Sequence, residues 1–117
     1  AAAPAMHRAW AEDTLAPHDR METFAEGLAT SVPFALTTRL LREHLHDFLL
    51  VDDDDLRDGV ETMFTDERIV MEGACAASLA GARAMADEVA GSTVVLQVSG
   101  RNVDTGKLLD IAGARDD

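Results

Sequence analysis

A serine, a glycine and an asparagine stand together in Val98-Ser99-Gly100-Arg101-Asn102-Val103-Asp104, directly after the β-branched run Thr93-Val94-Val95-Leu96-Gln97. The run reads as a buried strand that ends in a tight polar turn. In an open α/β sheet, ligands bind outside the carboxyl ends of strands, so Ser99 and Asn102 could hydrogen-bond a small molecule over the sheet edge. By residue type alone, a serine at a strand end is also an ordinary turn residue. A second group, Glu72-Gly73-Ala74-Cys75-Ala76-Ala77, opens an alanine-rich stretch. There Glu72 suits a helix N-terminus, where the dipole favours negative charge.

Other chemistries fail on spacing. His7, His18, His44 and His46 do not fall at i, i+4 on one helix, which argues against zinc. Asp52 to Asp55 form a charge run, but a calcium loop needs ligands at alternate positions before a glycine and a distant glutamate. With Gly59 as that glycine, Leu56 and Thr65 fall at ligand positions. Aspartates at a helix start cap free N–H groups instead, and that is how the run reads. Cys75 has no fixed histidine partner and reads as a small core residue. No Ser-His-Asp order follows from the spacing, and no run of glycines offers a phosphate cradle. Lys107, the sole lysine, reads as solvated.

The elements that would position these residues follow from periodicity. Pro4 to Ala11 can form a helix, with Pro4 tolerated in the first turn. Residues 13–19 contain Pro17 and read as loop, and Phe24 to Ala29 form a short apolar segment. Leu36, Leu40, Leu41 and Leu45 recur at helical spacing, predicting an amphipathic helix over 34–46. Phe48 to Val51 is predicted as a short buried strand. Leu56, Val60, Met63 and Phe64 mark the next helix. A long helix follows over 74–89, interrupted only by Gly81, with Ala76, Ala77, Ala80 and Ala84 suited to close packing. After the Gly91-Ser92 turn come the strand and a final helix over 105–112. This order predicts an α/β fold, part of a three-layer parallel sheet with flanking helices. Two strands are too few for a self-sufficient sheet, which points to a missing part.

At 117 residues the chain is one domain or part of one, large enough to bury a core. Hydrophobic residues make up 47%, without the long apolar stretch a membrane span needs. The start, Ala1-Ala2-Ala3-Pro4, has no initiator methionine, basic cluster or apolar signal core, so a piece of a longer or processed chain is expected. One cysteine excludes an internal disulfide and suits a reducing compartment, with cytoplasm the default. Acidic residues number 22 against 10 basic, net -12, a surface that repels nucleic acid and acidic membranes. The same balance is expected of adaptation to high salt.

Taken in order, these segments resemble the C-terminal part of pyridoxal-phosphate-dependent serine/threonine dehydratases, the family that includes serine racemase, within the tryptophan-synthase-β-like superfamily. Ala3-Pro4-Ala5-Met6 with Trp10 resembles the segment after a turn of glutamate and small residues. Phe24-Ala25-Glu26-Gly27-Leu28-Ala29 resembles I-A-D-G-L-A. Phe48 to Leu56 is similar to V-V-x-V-S-D-x-E-I, and Arg68 to Ala77 to x-x-x-x-E-G-A-G-A-A. Val98 to Asp104 is similar to L-S-G-G-N-V-D. The blocks span nearly the whole chain. Arg101 departs from the second glycine of the serine-glycine-glycine turn, and Cys75 from a glycine after Glu72. Met6 and its neighbours offer no carboxylate where racemases place a metal ligand, so no metal is expected.

The resemblance implies a fold-type II enzyme that converts L-threonine or L-serine to a 2-oxo acid and ammonia, using pyridoxal 5'-phosphate as electron sink. It implies Ser99 as the hydroxyl partner of the pyridine nitrogen, with Gly100, Glu72 and Gly73 beside the cofactor. Gly27 and Asn102 would line the substrate pocket; Asn102 could alternatively brace the turn or face a nucleotide site. A neutral hydroxyl does not force protonation of the ring nitrogen as a carboxylate would, which favours elimination. No catalytic residue is expected in this chain. The Schiff-base lysine and phosphate cradle of the family lie upstream, so the upstream half of the enzyme is the implied partner, within a homo-oligomer. The fragment alone is expected to be inactive. Two rivals are a non-catalytic α/β module that pairs with another chain through an apolar sheet edge, and a decayed homologue marked by Arg101.

Overall fold

Asp52 to Asp55 begin the helix against which the two helices that follow it pack. The computed structural model describes residues 3–113. In chain order the helices are α1 (Ala5–Glu12), a 3-10 turn (Glu26–Leu28), α2 (Ala35–His44), α3 (Asp53–Thr65), α4 (Gly73–Ala84) and α5 (Thr105–Gly113). Asp52 caps α3 in a reciprocal box: its backbone N–H donates to Asp55 Oδ2 at 3.1 Å, and its side chain accepts from the backbone of Asp55. The aspartate run is therefore a helix start, as its position in the sequence predicts.

The core lies where α3, α4 and α5 meet. It contains Leu56 and Val60 from α3, Cys75, Ala76 and Ala80 from α4, and Ile111 from α5, closed by Ala25 and Met71. Small residues set the approach of α3 to α4: a Cβ on Gly59 would stand 3.1 Å from the Ala76 Cβ. Burying Met71 and Val60 is worth roughly 1.5–3 kcal/mol each. Arg83 on α4 ties the same helices at the surface, pairing with Asp58 and donating to Thr62 Oγ1 at 3.0 Å. α1 packs on α2 across a smaller contact, where Arg42 donates to the Trp10 carbonyl.

Several expectations are corrected. No strand forms among the described residues, so the parallel sheet is not present in them. Residues 48–51 and 93–98 run between helices without a hydrogen-bonded ladder; a strand takes its bonds from a neighbour, and these two do not pair with each other. Neither is buried: Val95 is 88% exposed, and Leu49, Leu50 and Val94 are exposed too. The helix predicted over 34–46 covers 35–44, and its stripe finds no cover, with Leu36 61% exposed and Leu40 and Leu45 also open. The helix predicted over 74–89 passes through Gly81 and stops at Ala84, followed by turns through Gly91. Asp87 and Glu88 would place negative charge at a helix C-terminus, where the dipole opposes it.

Candidate functional site

The turn after residue 98 is held against the start of α4 by three contacts. Glu72 N–H donates to the Gly100 carbonyl at 3.2 Å, and Gly100 N–H donates to Cys75 Sγ at 3.0 Å. Cys75 Sγ also lies 3.7 Å from Ser99 Oγ. Glu72 N-caps α4, so the helix start and the polar turn form one unit. At Gly100 a Cβ would stand 2.5 Å from the Glu72 carboxyl carbon, the movable end of a flexible side chain. At Gly73 a Cβ would stand 2.6 Å from the Phe24 ring, and at Gly27 it would stand 2.9 Å from the Ala74 Cβ. Five of the six predicted residues, Ser99, Gly100, Glu72, Gly73 and Gly27, therefore converge.

Two cavities open on this unit. One of about 390 Å³ is lined by Ser99, Cys75, Glu72, Gly27, Ser78 and Gln97, among others. Ser99 itself is exposed, so its hydroxyl is accessible from this cavity. The second, of about 460 Å³, shares Glu72 and Gly27 with the first and is also lined by Gly73, Asn102, Asp104, Glu26 and Lys107. Asn102 thus lines a different cavity from Ser99, while Glu72 and Gly27 line both.

Lys107 is solvent-exposed, as the sequence reading has it, and it also carries an ion pair. Its ammonium is half-exposed but not free: it donates to Glu26 Oε1 at 2.5 Å, linking α5 to the 3-10 turn beside Gly27. That hydrogen bond, then the attraction between the charges, holds the Glu26 carboxyl below its ordinary value of 4.5 and lifts Lys107 above 10.5. Asp53 is a residue that sequence reasoning missed. Beyond starting α3, its Oδ1 accepts from Thr23 Oγ1 at 2.7 Å and its Oδ2 accepts from Phe24 N–H at 2.9 Å. It thereby seats the segment carrying Phe24 and Gly27 against the helix start. The signal was hidden because a capping aspartate and a tethering one have the same sequence context. Cys75 is a core residue, as predicted, and also a contact of the turn.

Arg101 sits in the turn without strain. Among the described residues only Asp13 and Arg68 combine a side chain with positive φ, so the arginine does not occupy a conformation that calls for glycine. Its side chain points to solvent.

A flat heteroaromatic ring with one nitrogen needs a single polar partner, and Ser99 offers a neutral hydroxyl on a cavity of ligand size. A phosphate needs cations or converging N–H groups. Among the described residues, the only charged one lining the Ser99 cavity is Glu72, which would repel it. The residues present therefore fit the nitrogen edge of a pyridoxal ring and not its phosphate.

Residues 1–100 match the family described as pyridoxal-phosphate dependent enzyme. The chain is 31% identical over 100 residues to the catabolic L-threonine dehydratase TdcB of Escherichia coli K12, covering 82% of this chain and 30% of that protein. It is 29% identical over 82 residues to the L-threonine ammonia-lyase of Thermotoga maritima, covering 70% and 20%. Among solved structures it is similar to the threonine deaminase of T.th., with TM-score 0.80 at 26% identity over 88% of this chain and 38% of that one. It is also similar to the serine racemase of Dictyostelium discoideum, with TM-score 0.74 at 25% identity over 87% and 33%. These neighbours are fold-type II enzymes. The chain thus spans about a third or less of the length of the curated relatives. With a matching family over most of its residues, this chain belongs to the pyridoxal-phosphate-dependent enzymes.

Proposed function

We propose that this chain supplies the ring-nitrogen wall of a lyase that converts L-threonine or L-serine to a 2-oxo acid and ammonia. The observation that carries the reading is the Ser99 hydroxyl, open to a cavity and seated beside Glu72, Gly100 and Cys75 at the start of α4. The similar proteins named as threonine dehydratase, ammonia-lyase and deaminase support the substrate class. When bound, pyridoxal phosphate supplies a sink for charge that develops at the amino acid's α-carbon.

The residues of this chain would divide the work as follows. Ser99 hydrogen-bonds the ring nitrogen without forcing a proton onto it, as a carboxylate would. The backbone at Glu72, Gly73 and Gly100 shapes the wall, and its glycines keep side chains out of the close approaches. Gly27 and Asn102 border the substrate side, on the cavity that Glu26 and Lys107 bridge. Lys107 is engaged in that bridge and does not line the Ser99 cavity, so it is read as no Schiff-base lysine for a ring held there. The amine anchor and phosphate cradle are assigned to the upstream half of the enzyme. Strands of that half would pair with residues 48–51 and 93–98 in a parallel sheet and cover their exposed apolar side chains. The complete enzyme is read as a homo-oligomer, in a reducing cytoplasm that suits the free buried Cys75.

The test mixes the chain with pyridoxal phosphate and threonine, alone and with the upstream half, and follows 2-oxobutanoate. Activity is expected only in the complemented mixture. Turnover by the chain alone would refute the division of labour. Ser99→Ala in the complete enzyme should lower turnover roughly three- to tenfold, the equivalent of one lost neutral hydrogen bond. An unchanged rate would remove Ser99 from the site. The open segment around Val95 also favours a second reading, a non-catalytic module that pairs with a partner chain. Cofactor binding without turnover in the complemented mixture would select that reading, or a decayed enzyme.

A further inference from the structure

We propose that Cys75 is a positioning residue: its thiol fixes which way the Ser99 hydroxyl donates. The proposal rests on the reading of Ser99 as partner of the ring nitrogen and adds a residue to that contact. Cys75 is 6% exposed, one turn into α4, and its sulfur touches both members of the turn. Gly100 N–H donates to Sγ at 3.0 Å, so the sulfur is already an acceptor. Either atom of the 3.7 Å pair Cys75 Sγ–Ser99 Oγ can donate, and the proposal assigns the hydrogen to the thiol, which leaves that of Ser99 for the cavity.

A serine hydroxyl has one hydrogen and two lone pairs. With a lone pair turned to the thiol, its own hydrogen is left for the cavity. Ser99 then donates outward, which selects a ring nitrogen that carries no proton. Were the direction reversed, Ser99 would spend its hydrogen on sulfur and could only accept from a protonated ring. The Gly100 carbonyl, held by Glu72 N–H at 3.2 Å, pins the turn from the other side, so the direction is not lost by rotation of the backbone. Cys75 stands where the pattern it resembles has glycine, so this contact belongs to the present chain.

The experiment uses the complete, cofactor-loaded enzyme with Cys75→Ala, Cys75→Ser and Ser99→Ala. It reads kcat, KM, melting temperature and the pH dependence of the bound cofactor's absorption band. Cys75→Ala is expected to lower kcat about three- to tenfold with little change in KM, the size of one neutral hydrogen bond. It should also raise the pH midpoint of the band, because a proton on the ring is no longer disfavoured. Cys75→Ser, whose hydroxyl can accept from Gly100 and donate to Ser99, should recover most of the lost rate. Its stronger donation should move the midpoint the opposite way.

A Cys75→Ala enzyme with unchanged rate and band, beside a slowed Ser99→Ala, overturns the positioning role and keeps the Ser99 contact. A silent Ser99→Ala overturns the underlying reading as well. Equal losses in both cysteine variants, in step with lower melting temperature, would reduce Cys75 to packing. If Cys75→Ala does not fold, the Cys75→Ser midpoint decides: a downward shift supports the proposal and an unmoved midpoint sinks it.

Discussion

The α3–α4–α5 unit and the extended segments at 48–51 and 93–98 both carry apolar side chains but meet opposite fates. In the first, Leu56, Val60, Met71, Ala76 and Ile111 are covered by residues of the same chain. In the second, Leu49, Leu50, Val94 and Val95 face solvent. Helices satisfy their backbone internally and need only a face to pack against, which neighbouring helices supply. Extended segments need a partner for every N–H and C=O as well as cover for their side chains. The candidate site lies at the boundary, on the turn where residues 93–98 return to α4. The firm side of that boundary holds Ser99 beside Cys75 of α4, and the open side leaves Val94 and Val95 exposed.

The sharpest way to break the contrast is to cut the same chemistry from both regions. Met71→Ala should cost about 2–5 kcal/mol in chemical denaturation, because Met71 is 1% exposed and leaves a cavity. Val95→Ala should stay within about 0.5 kcal/mol in the isolated chain. In the complemented enzyme the Val95 cost should rise toward that of a core residue; equal small costs in both states would show that nothing covers the segment.

Gly73→Ala comes next in size. Its Cβ would meet the Phe24 ring, which is also covered by the Arg57 guanidinium 4.4 Å from the ring centroid. Overpacking of this kind costs about 1–3 kcal/mol, read by denaturation. The same change at Gly100 meets only the end of the flexible Glu72 side chain. Gly100→Ala should therefore cost less stability than Gly73→Ala but displace Glu72. The reverse order would mean that the turn, and not the Phe24 contact, is the tighter point.

The smallest effect is expected at the Glu26–Lys107 bridge, which is exposed to solvent. Glu26 is held below 4.5, so its contribution is present above that pH and fades as pH falls through its lowered value. Lys107 is raised above 10.5, so its contribution is present below that pH and fades as pH rises through its raised value. Lys107→Met should thus lower the melting temperature slightly at neutral pH and low salt. The difference should vanish in acid, in strong base and at high salt. A difference that persists across all three would assign Lys107 a packing role through its alkyl stem.

Much of the helical framework was legible in the sequence. The Asp52 to Asp55 run and the stripe of Leu56 and Val60 locate α3 because capping and periodicity are local properties. The convergence of Ser99, Gly100, Glu72, Gly73 and Gly27 was legible only through family resemblance, since no spacing rule joins residue 27 to residue 100. Three features were not legible. The Asp53 tether to Thr23 and Phe24, the Glu26–Lys107 bridge and the placement of Asn102 in a separate cavity all join residues distant in sequence.

Local chemistry, written in the order of residues, determined where helices start, which faces are apolar, and that the chain carries a net charge of -12. Tertiary structure alone decided which apolar faces are covered and which way the serine turn is braced. The reason is physical: capping and periodicity act within a few residues, whereas burial and hydrogen-bond pairing depend on which distant segment arrives. That is why α3 is in place among the described residues, while the two segments read as strands still lack their ladder.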